Sequence, residues 1–169
     1  MTEDYSPDSA RRRVTGSELR FPPCSGTDLA DRLGELADAE MAFLGRDTLT
    51  EPVGMILARF ARADTRLFGV RGSAGLLGIA VNPLNPYQGE IDLALPGATE
   101  KAYMDTIGDA LRLCHSHLVL RTVVRYEPNR DDRAEYFERA GLRLLGALRG
   151  ARYQDGAYHD QRVWQGETG

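Results

Sequence analysis

Cysteine, lysine and long apolar runs are scarce in this chain of 169 residues, and each scarcity excludes a class of protein. The two cysteines, Cys24 and Cys114, lie far apart in no ligand spacing, so neither a disulfide framework nor a structural metal is expected. No apolar run is long enough to span a bilayer, and the first residues lack the apolar core of a signal peptide. These absences predict a cytoplasmic protein with no membrane segment.

Positive charge is also in the minority. Asp and Glu number 25 against 21 Lys and Arg, which gives a net charge of −4 and a pI near 5.4. Binding to nucleic-acid backbones is driven largely by cation contacts, so nucleic acid is not expected as a main partner. Lys101 is the only lysine, and the arginines that make up the rest of the basic residues can still cluster locally.

What is present suits one domain with one core. Hydrophobic residues make up 42% of the chain and charged residues 27%, without internal repeats or low-complexity segments. Residues 1–13, with the triplet Arg11-Arg12-Arg13, are interpreted as a flexible leader, 14–164 as the domain and 165–169 as a tail.

Hydrophobic periodicity predicts helices and strands in a defined order. Spacings of three and four predict a helix capped by Thr27 or Asp28, a second at 52–63, and a long one after Pro96-Gly97 whose apolar stripe is Met104, Ile107, Leu111, Cys114 and Leu118. Strands are predicted at 16–23, 66–72, 76–82, 90–95 and 119–126, with a polar loop at 82–89. A strand, helix, strand succession requires a parallel pair, so the sheet is expected to be mixed.

The last quarter of the chain is predicted to be helix, strand, hairpin, strand. Asp132 and Glu135, with Asp131, form a capping-box pattern, and Gly141 stands where a left-handed helix stop is expected. The runs 142–153 and 157–164 are strand-like and are joined by Asp155-Gly156, a strong hairpin signal.

This succession resembles the carboxy-terminal half of the GNAT superfamily of acyl-CoA-dependent N-acyltransferases, in its ribosomal-protein and spermidine acetyltransferase branches. The matching residues are Glu138, Gly141, Gly146, Leu148, Arg149, Tyr153, Asp155, Gly156, Tyr158 and Asp160. The resemblance implies an α/β (α+β) GNAT fold, with a mixed central sheet of about six to seven strands flanked by about four helices. It also implies a homodimer through the terminal strands as one arrangement.

The resemblance further implies a thioester donor, acetyl-CoA or another acyl thioester. The residues implied for binding it are Leu93, Leu95, Gly97, Thr99, Lys101 and Ala102. In the family, glycines at a helix N-terminus let bare amides approach the pyrophosphate. Glu100 stands where the central glycine is expected, which leaves two donors open: acetyl-CoA on a loop rebuilt around Thr99 and Lys101, or an acyl group on a carrier protein.

For catalysis the resemblance implies a tyrosine as general acid and a carboxylate as general base. Phe137 occupies the tyrosine position, so either the neighbouring Tyr136 takes that role or no tyrosine does. Glu90, on the strand expected to part from its neighbour, is the first candidate base and Asp92 the second. Glu90 is equally compatible with an ordinary carboxylate at a strand end.

Four further residues are implied as contacts of the acceptor, a small-molecule amine: Arg125, Tyr153, Tyr158 and His159. Tyr153, Tyr158 and His159 flank a turn and are also compatible with a purely structural role. His115 and His117 have no third ligand at suitable spacing and are interpreted as solvated. The sequence therefore predicts a divergent N-acyltransferase. Two alternatives remain: a repurposed fold that binds a small molecule or partner without this reaction, and, more weakly, transfer from an aminoacyl-tRNA.

Overall fold

The computed structural model describes residues 20–127, 133–154 and 156–169, with the side chain of Gln154 excepted. Within these ranges the chain forms four helices: α1 (Gly26–Asp38), α2 (Val53–Arg62), α3 (Glu100–Ser116) and α4 (Ala134–Arg139). The strands of the same ranges are β1 (Thr65–Gly69), β2 (Leu76–Asn82), β3 (Asn85–Ala94), β4 (Thr122–Tyr126), β5 (Arg143–Gln154) and β6 (Ala157–Glu167). None of the helices in the described part is long and apolar enough to cross a membrane.

The strands form a mixed sheet in the order β1-β2-β3-β4-β6-β5. Neighbours are antiparallel except β3 and β4, which run parallel because α3 carries the chain back between them. The parallel pair is short: Glu90 and Val124 are its last partners, although β3 continues to Ala94 and β4 to Tyr126. The mixed sheet is confirmed, and β3 and β4 diverge beyond Glu90.

The helices cover both faces of the sheet. One core cluster is formed by α3, with Tyr103, Ile107 and Ala110, against the middle strands. The other is formed by α1 and α2, whose buried positions include Leu33 and Ile56. The two clusters together hold the diverging ends of β3 and β4 between two packed layers.

The segment after α1 lies directly on the sheet. A Cβ added at Gly78 of β2 would lie 2.4 Å from Leu44 Cδ1 and 2.9 Å from Phe43 Cζ, so a side chain there would displace this segment. Leu44 and Gly45 both have positive φ, 47° and 68°, which bends the chain sharply at this point. The bend brings Arg46 near Glu90 of β3 and Arg152 of β5.

The predicted hairpin and helix stop are present. Gly141 has φ 101° after α4, and Gly156 has φ 80° between the paired residues Gln154 and Ala157. Asp155, Asp131 and Asp132 lie outside the described residues, and the N-cap of α4 is Arg133, without a side-chain cap. The helix cap of α1 is likewise Ser25 rather than Thr27 or Asp28.

Several boundaries differ from those expected. The strand β3 begins at Asn85, inside the expected loop, and β4 begins at Thr122 rather than 119. The strand β6 continues to Glu167, and the Thr168 amide donates a 3.1 Å hydrogen bond to Arg121 O, where a tail was expected from 165. Of the predicted first strand, the described part forms one isolated bridge, Pro23 to Phe68, and residues 16–19 are not described.

Candidate functional site

The larger of two pockets near the diverging strands, of about 550 Å³, is called here the Glu90 pocket. Its walls come from the bend after α1, from α2 and the residues just before it, and from β3, β4, β5 and β6. They consist of Leu44, Gly45, Arg46, Glu51, Arg59, Glu90, Tyr126, Ala151, Arg152, Tyr153 and Gln161. A volume of this size accommodates a small organic molecule.

Glu90 is the acidic group best placed to act in this pocket. It is half-buried, and burial raises its pKa to about 7, with repulsion from Asp92 adding to the effect and Arg46 opposing it. A carboxylate with a pKa near neutrality exchanges protons with its surroundings at neutral pH, which is the property a general base needs.

Asp92, two residues after Glu90 on β3, is almost fully buried, with 1% exposure. Its carboxylate accepts hydrogen bonds from the Leu44 amide (2.9 Å), the Leu93 amide (3.0 Å) and Arg125 Nε (3.1 Å). Arg133 Nη1 lies 3.6 Å from the same carboxylate. Both oxygens of Asp92 are therefore occupied by protein donors, and the geometry supports an organising role for this residue.

Two arginines span the gap between the diverging strands. Arg125, on β4, is fully buried, pairs with Asp92 of β3, and stacks its guanidinium over the Phe137 ring at 4.2 Å. Arg133 donates to Leu93 O (2.8 Å) and to Ala42 O (2.9 Å). We call Asp92, Arg125 and Arg133 the buried ion cluster.

A smaller pocket, of about 210 Å³, borders this cluster through Arg133 and is called here the Tyr136 pocket. It is lined by Ala39, Met41, Leu95, Gly97, Ala98, Tyr103, Arg133 and Tyr136. The Tyr136 ring stacks on Tyr103 at 5.0 Å, and no described residue forms a hydrogen bond with the Tyr136 hydroxyl. The Tyr103 hydroxyl donates to Leu93 O at 2.5 Å, and burial raises its pKa to about 12. The two pockets share no lining residue.

Comparisons with known proteins identify similar folds among solved structures. No family model matches the chain, and no curated protein matches it. Among solved structures, a mutant of the spermidine N-acetyltransferase SpeG from Vibrio cholerae is 16% identical, with a TM-score of 0.67 over 89% of this chain and 95% of that one. A putative phosphinothricin N-acetyltransferase is 13% identical, with a TM-score of 0.67 over 88% of this chain and 98% of that one.

The chain has the GNAT fold. At such low identities the likeness concerns the fold and leaves substrate and mechanism to this chain's own residues.

The start of α3 is where a GNAT fold is expected to hold the pyrophosphate of coenzyme A. Thr99 Oγ1 caps the helix and accepts the Ala102 amide at 3.3 Å. Glu100 pairs with Arg139, and Lys101 Nζ lies 2.5 Å from Asp105 along the helix. One amide and both flanking charges are therefore already partnered, and these residues do not fit the glycine cradle for a nucleotide pyrophosphate.

Of the other predicted site residues, the structure places some in the walls of the two pockets and some outside them. Tyr153 lines the Glu90 pocket, and Tyr158 packs on it at 5.1 Å while remaining exposed. His159 is half-buried on β6 and pairs with Arg152 in register, outside the pocket wall.

Leu95 and Gly97 line the Tyr136 pocket, and Leu93 contributes backbone groups already bonded to Asp92, Tyr103 and Arg133. Arg125 lines neither pocket.

Three arginines of the Glu90 pocket were not predicted as site residues from the sequence: Arg46, Arg59 and Arg152. Arg46 follows a bend with two positive φ values, and Arg152 follows an irregularity in β5 between Leu148 and Arg152. Such an irregularity breaks the alternation from which a strand's facing side chains are inferred. Within the residues described, no group of three or more His, Cys, Asp or Glu could hold a metal ion.

Proposed function

We propose that this protein transfers an acyl group from a thioester to the amine of a small molecule held in the Glu90 pocket. The observation that carries the proposal is Glu90 itself, with a pKa of about 7, at the last paired position before β3 and β4 diverge. The N-acetyltransferase neighbours of the same fold support the reaction class.

In this reaction Glu90 accepts a proton from the acceptor's ammonium group, directly or through one water, because only the neutral amine attacks a carbonyl carbon. The new C–N bond replaces the C–S bond of the donor. The departing sulfur then requires a proton, and Tyr136, whose hydroxyl has no protein partner in the described part of the chain, is proposed to supply it. The nitrogen loses its second proton to solvent as the amide forms, and solvent returns a proton to Tyr136.

The donor is proposed to be an acyl group on a carrier protein's pantetheine arm, which needs no cradle for a nucleotide pyrophosphate. Support comes from the start of α3, where Thr99 caps the Ala102 amide and Glu100 adds a carboxylate. At a few ångströms, repulsion between Glu100 and a pyrophosphate amounts to about a few kcal/mol at an intermediate dielectric. Arg139, which pairs with Glu100, offsets part of this repulsion.

A second function is favoured by the buried ion cluster. The Asp92–Arg125 pair bridges the gap where β3 and β4 diverge, and the two pockets share no lining residue. A protein that binds its ligand in the Glu90 pocket without reaction would have this arrangement. Catalysis, by contrast, requires the donor carbonyl to reach that pocket past the cluster.

The deciding experiment incubates the protein with a broad amine panel and, separately, with acetyl-CoA and with an acylated carrier protein, and detects products by mass spectrometry. We expect N-acylated product with the acylated carrier, and at least ~10-fold less with acetyl-CoA. Product formed faster with acetyl-CoA would overturn the donor assignment. If neither donor gave product over the buffer control, the binding function would replace acyl transfer.

Tyr136→Phe separates the proposed acid role from simple packing. The substitution keeps the ring that stacks on Tyr103 and removes only the hydroxyl, so folding should be unchanged and kcat should fall by about 10²-fold. Tyr87→Phe, on the exposed start of β3, is the matched control and should retain full activity. Activity of Tyr136→Phe within about twofold of the parent protein would remove Tyr136 from the mechanism.

A further inference from the structure

Arginine dominates the charge of the Glu90 pocket. Arg46, Arg59 and Arg152 stand in its walls against two carboxylates, Glu51 and Glu90. Glu51 is 3.8 Å from Arg46 and 3.9 Å from Arg59, so one carboxylate is shared loosely between two guanidinium groups. With Glu90 half-protonated near neutral pH, the pocket carries an excess of positive charge.

Arg152 is the most exceptional of the three arginines. Its Nη1 atom is shielded from solvent and has no hydrogen-bond partner among the described residues. Burial and repulsion from Arg46 lower its pKa, while Glu51 and Asp47 act in the opposite direction. Arg152 is half-buried, but a guanidinium nitrogen that is shielded from solvent with an unused donor is costly unless a ligand supplies the acceptor.

The local backbone makes room for this arginine. A Cβ added at Gly45 would lie 3.7 Å from Arg152 Nη1, and the φ of 68° at Gly45 disfavours other residues. The bend at Gly45 thus brings Arg46 and Arg152, from distant parts of the chain, to one wall of the pocket. Guanidinium groups bind carboxylates and related oxyanions through paired N–H donors, which lysine cannot reproduce.

We propose that the ligand of the Glu90 pocket is a small amine that also carries an oxyanion, as an amino acid does. Its carboxylate or equivalent oxyanion binds Arg152 and Arg46, and its amine faces Glu90. The acylation of that amine rests on the proposed function, whereas the recognition of the oxyanion does not. A polyamine is disfavoured, because it would place further positive charge beside three arginines.

The test is calorimetric titration of the full chain with a panel of α- and ω-amino acids. Each acid is compared with its carboxamide and with the amine that lacks the carboxyl group, and spermidine is included. Aminophosphonates form a separate arm that distinguishes carboxylates from phosphorus oxyanions. We expect at least one acid to bind ~10-fold or more tightly than its amide and amine, a difference that the loss of one charge-assisted contact can produce.

Variants assign the effect to the pocket. Arg152→Gln should reduce the ratio of acid to amide affinity to near one, and Arg152→Lys should restore it only in part. Arg149→Gln is the matched control, because it removes one exposed arginine of the same strand, outside the pocket, and should keep the ratio. Arg59→Gln provides a second pocket variant. The Arg59 side chain is 47% exposed, so this variant should fold even if Arg152→Gln does not.

The outcomes separate this proposal from the proposed function. Selective binding of an acid without acylation by either donor would remove acyl transfer and leave the oxyanion site standing. Acylation of amines with no preference for the acid would do the reverse. The oxyanion site is overturned if spermidine binds more tightly than every acid, if no acid in the panel binds, or if Arg149→Gln lowers the ratio as much as Arg152→Gln.

Discussion

Glu90→Gln is expected to lower kcat for amine acylation by about 10²- to 10³-fold while making the folded protein more stable at pH 8. Glutamine fills the same space but cannot accept the proton of an ammonium group. In the parent protein kcat/KM should rise with pH through the pKa of about 7, because Glu90 must be ionised to act as a base. The variant should lose that step in the pH profile.

The gain in stability follows from the direction of the pKa shift. The folded-state pKa of Glu90, about 7, lies above the ordinary value of 4.5, so the folded state binds this proton more tightly than the unfolded state. The resulting stabilisation is complete below about pH 4.5 and is lost as the pH rises through about 7. At pH 8 the folded protein holds a partly desolvated charge that glutamine removes, for a gain of about 1–3 kcal/mol.

Urea unfolding of both proteins at pH 5.5 and pH 8 measures this gain, which should be much smaller at the lower pH. Glu35→Gln, on the exposed face of α1, makes the same charge change and should alter neither activity nor the pH dependence of stability. If Glu90→Gln kept normal turnover, Glu90 would not be the base. If Glu90→Gln lost turnover but its stability difference from the parent protein stayed constant with pH, burial would not be what raises the pKa of Glu90.

The fold could be predicted from the sequence because helices, strands and turns are marked by local residue patterns. The strand-like run after the turn at 73–75 predicted β2 with its observed bounds, Leu76–Asn82. Gly141 and Gly156 occupy the positive-φ positions that stop α4 and turn the last hairpin. The long helix was found, but its buried face is rotated from the predicted stripe. Tyr103 and Ala110 face the core, whereas Met104 is half-buried at its edge, because an aromatic residue and an alanine carry little weight in a pattern of aliphatic spacing.

The site could be predicted from the sequence only in part, because its residues come together from distant parts of the chain. Glu90 and Tyr153 could be selected from their places on strands, and both line the same pocket. Arg46 and Arg152 could not, since one follows a left-handed bend and the other an irregular stretch of β5. The buried state of Arg125 also depends on Asp92, 33 residues earlier, which no spacing rule connects to it.

Asp92→Ala is expected to have the largest effect on stability, a loss of about 3–5 kcal/mol. The substitution removes a carboxylate that pairs with Arg125 and lies near Arg133, two arginines that are almost fully buried. It also leaves the Leu44 amide without its acceptor, so the bend that carries Arg46 loses an anchor. For a chain of this size such a loss corresponds to a fall in Tm on the order of 10 °C.

Asp105→Ala is the matched control, because Asp105 also pairs with a basic residue, Lys101, but both side chains are largely exposed. Exposed pairs of this kind contribute below about 1 kcal/mol, so this variant should unfold at nearly the same urea concentration as the parent. Asp92→Asn keeps an acceptor for the Leu44 amide and removes only the charge. Its stability should lie between those of Asp92→Ala and Asp105→Ala. Equal losses for Asp92→Ala and Asp92→Asn would assign the effect to charge compensation alone. A loss from Asp92→Ala no larger than that from Asp105→Ala would mean that the buried ion cluster does not hold β3 and β4 at their divergence.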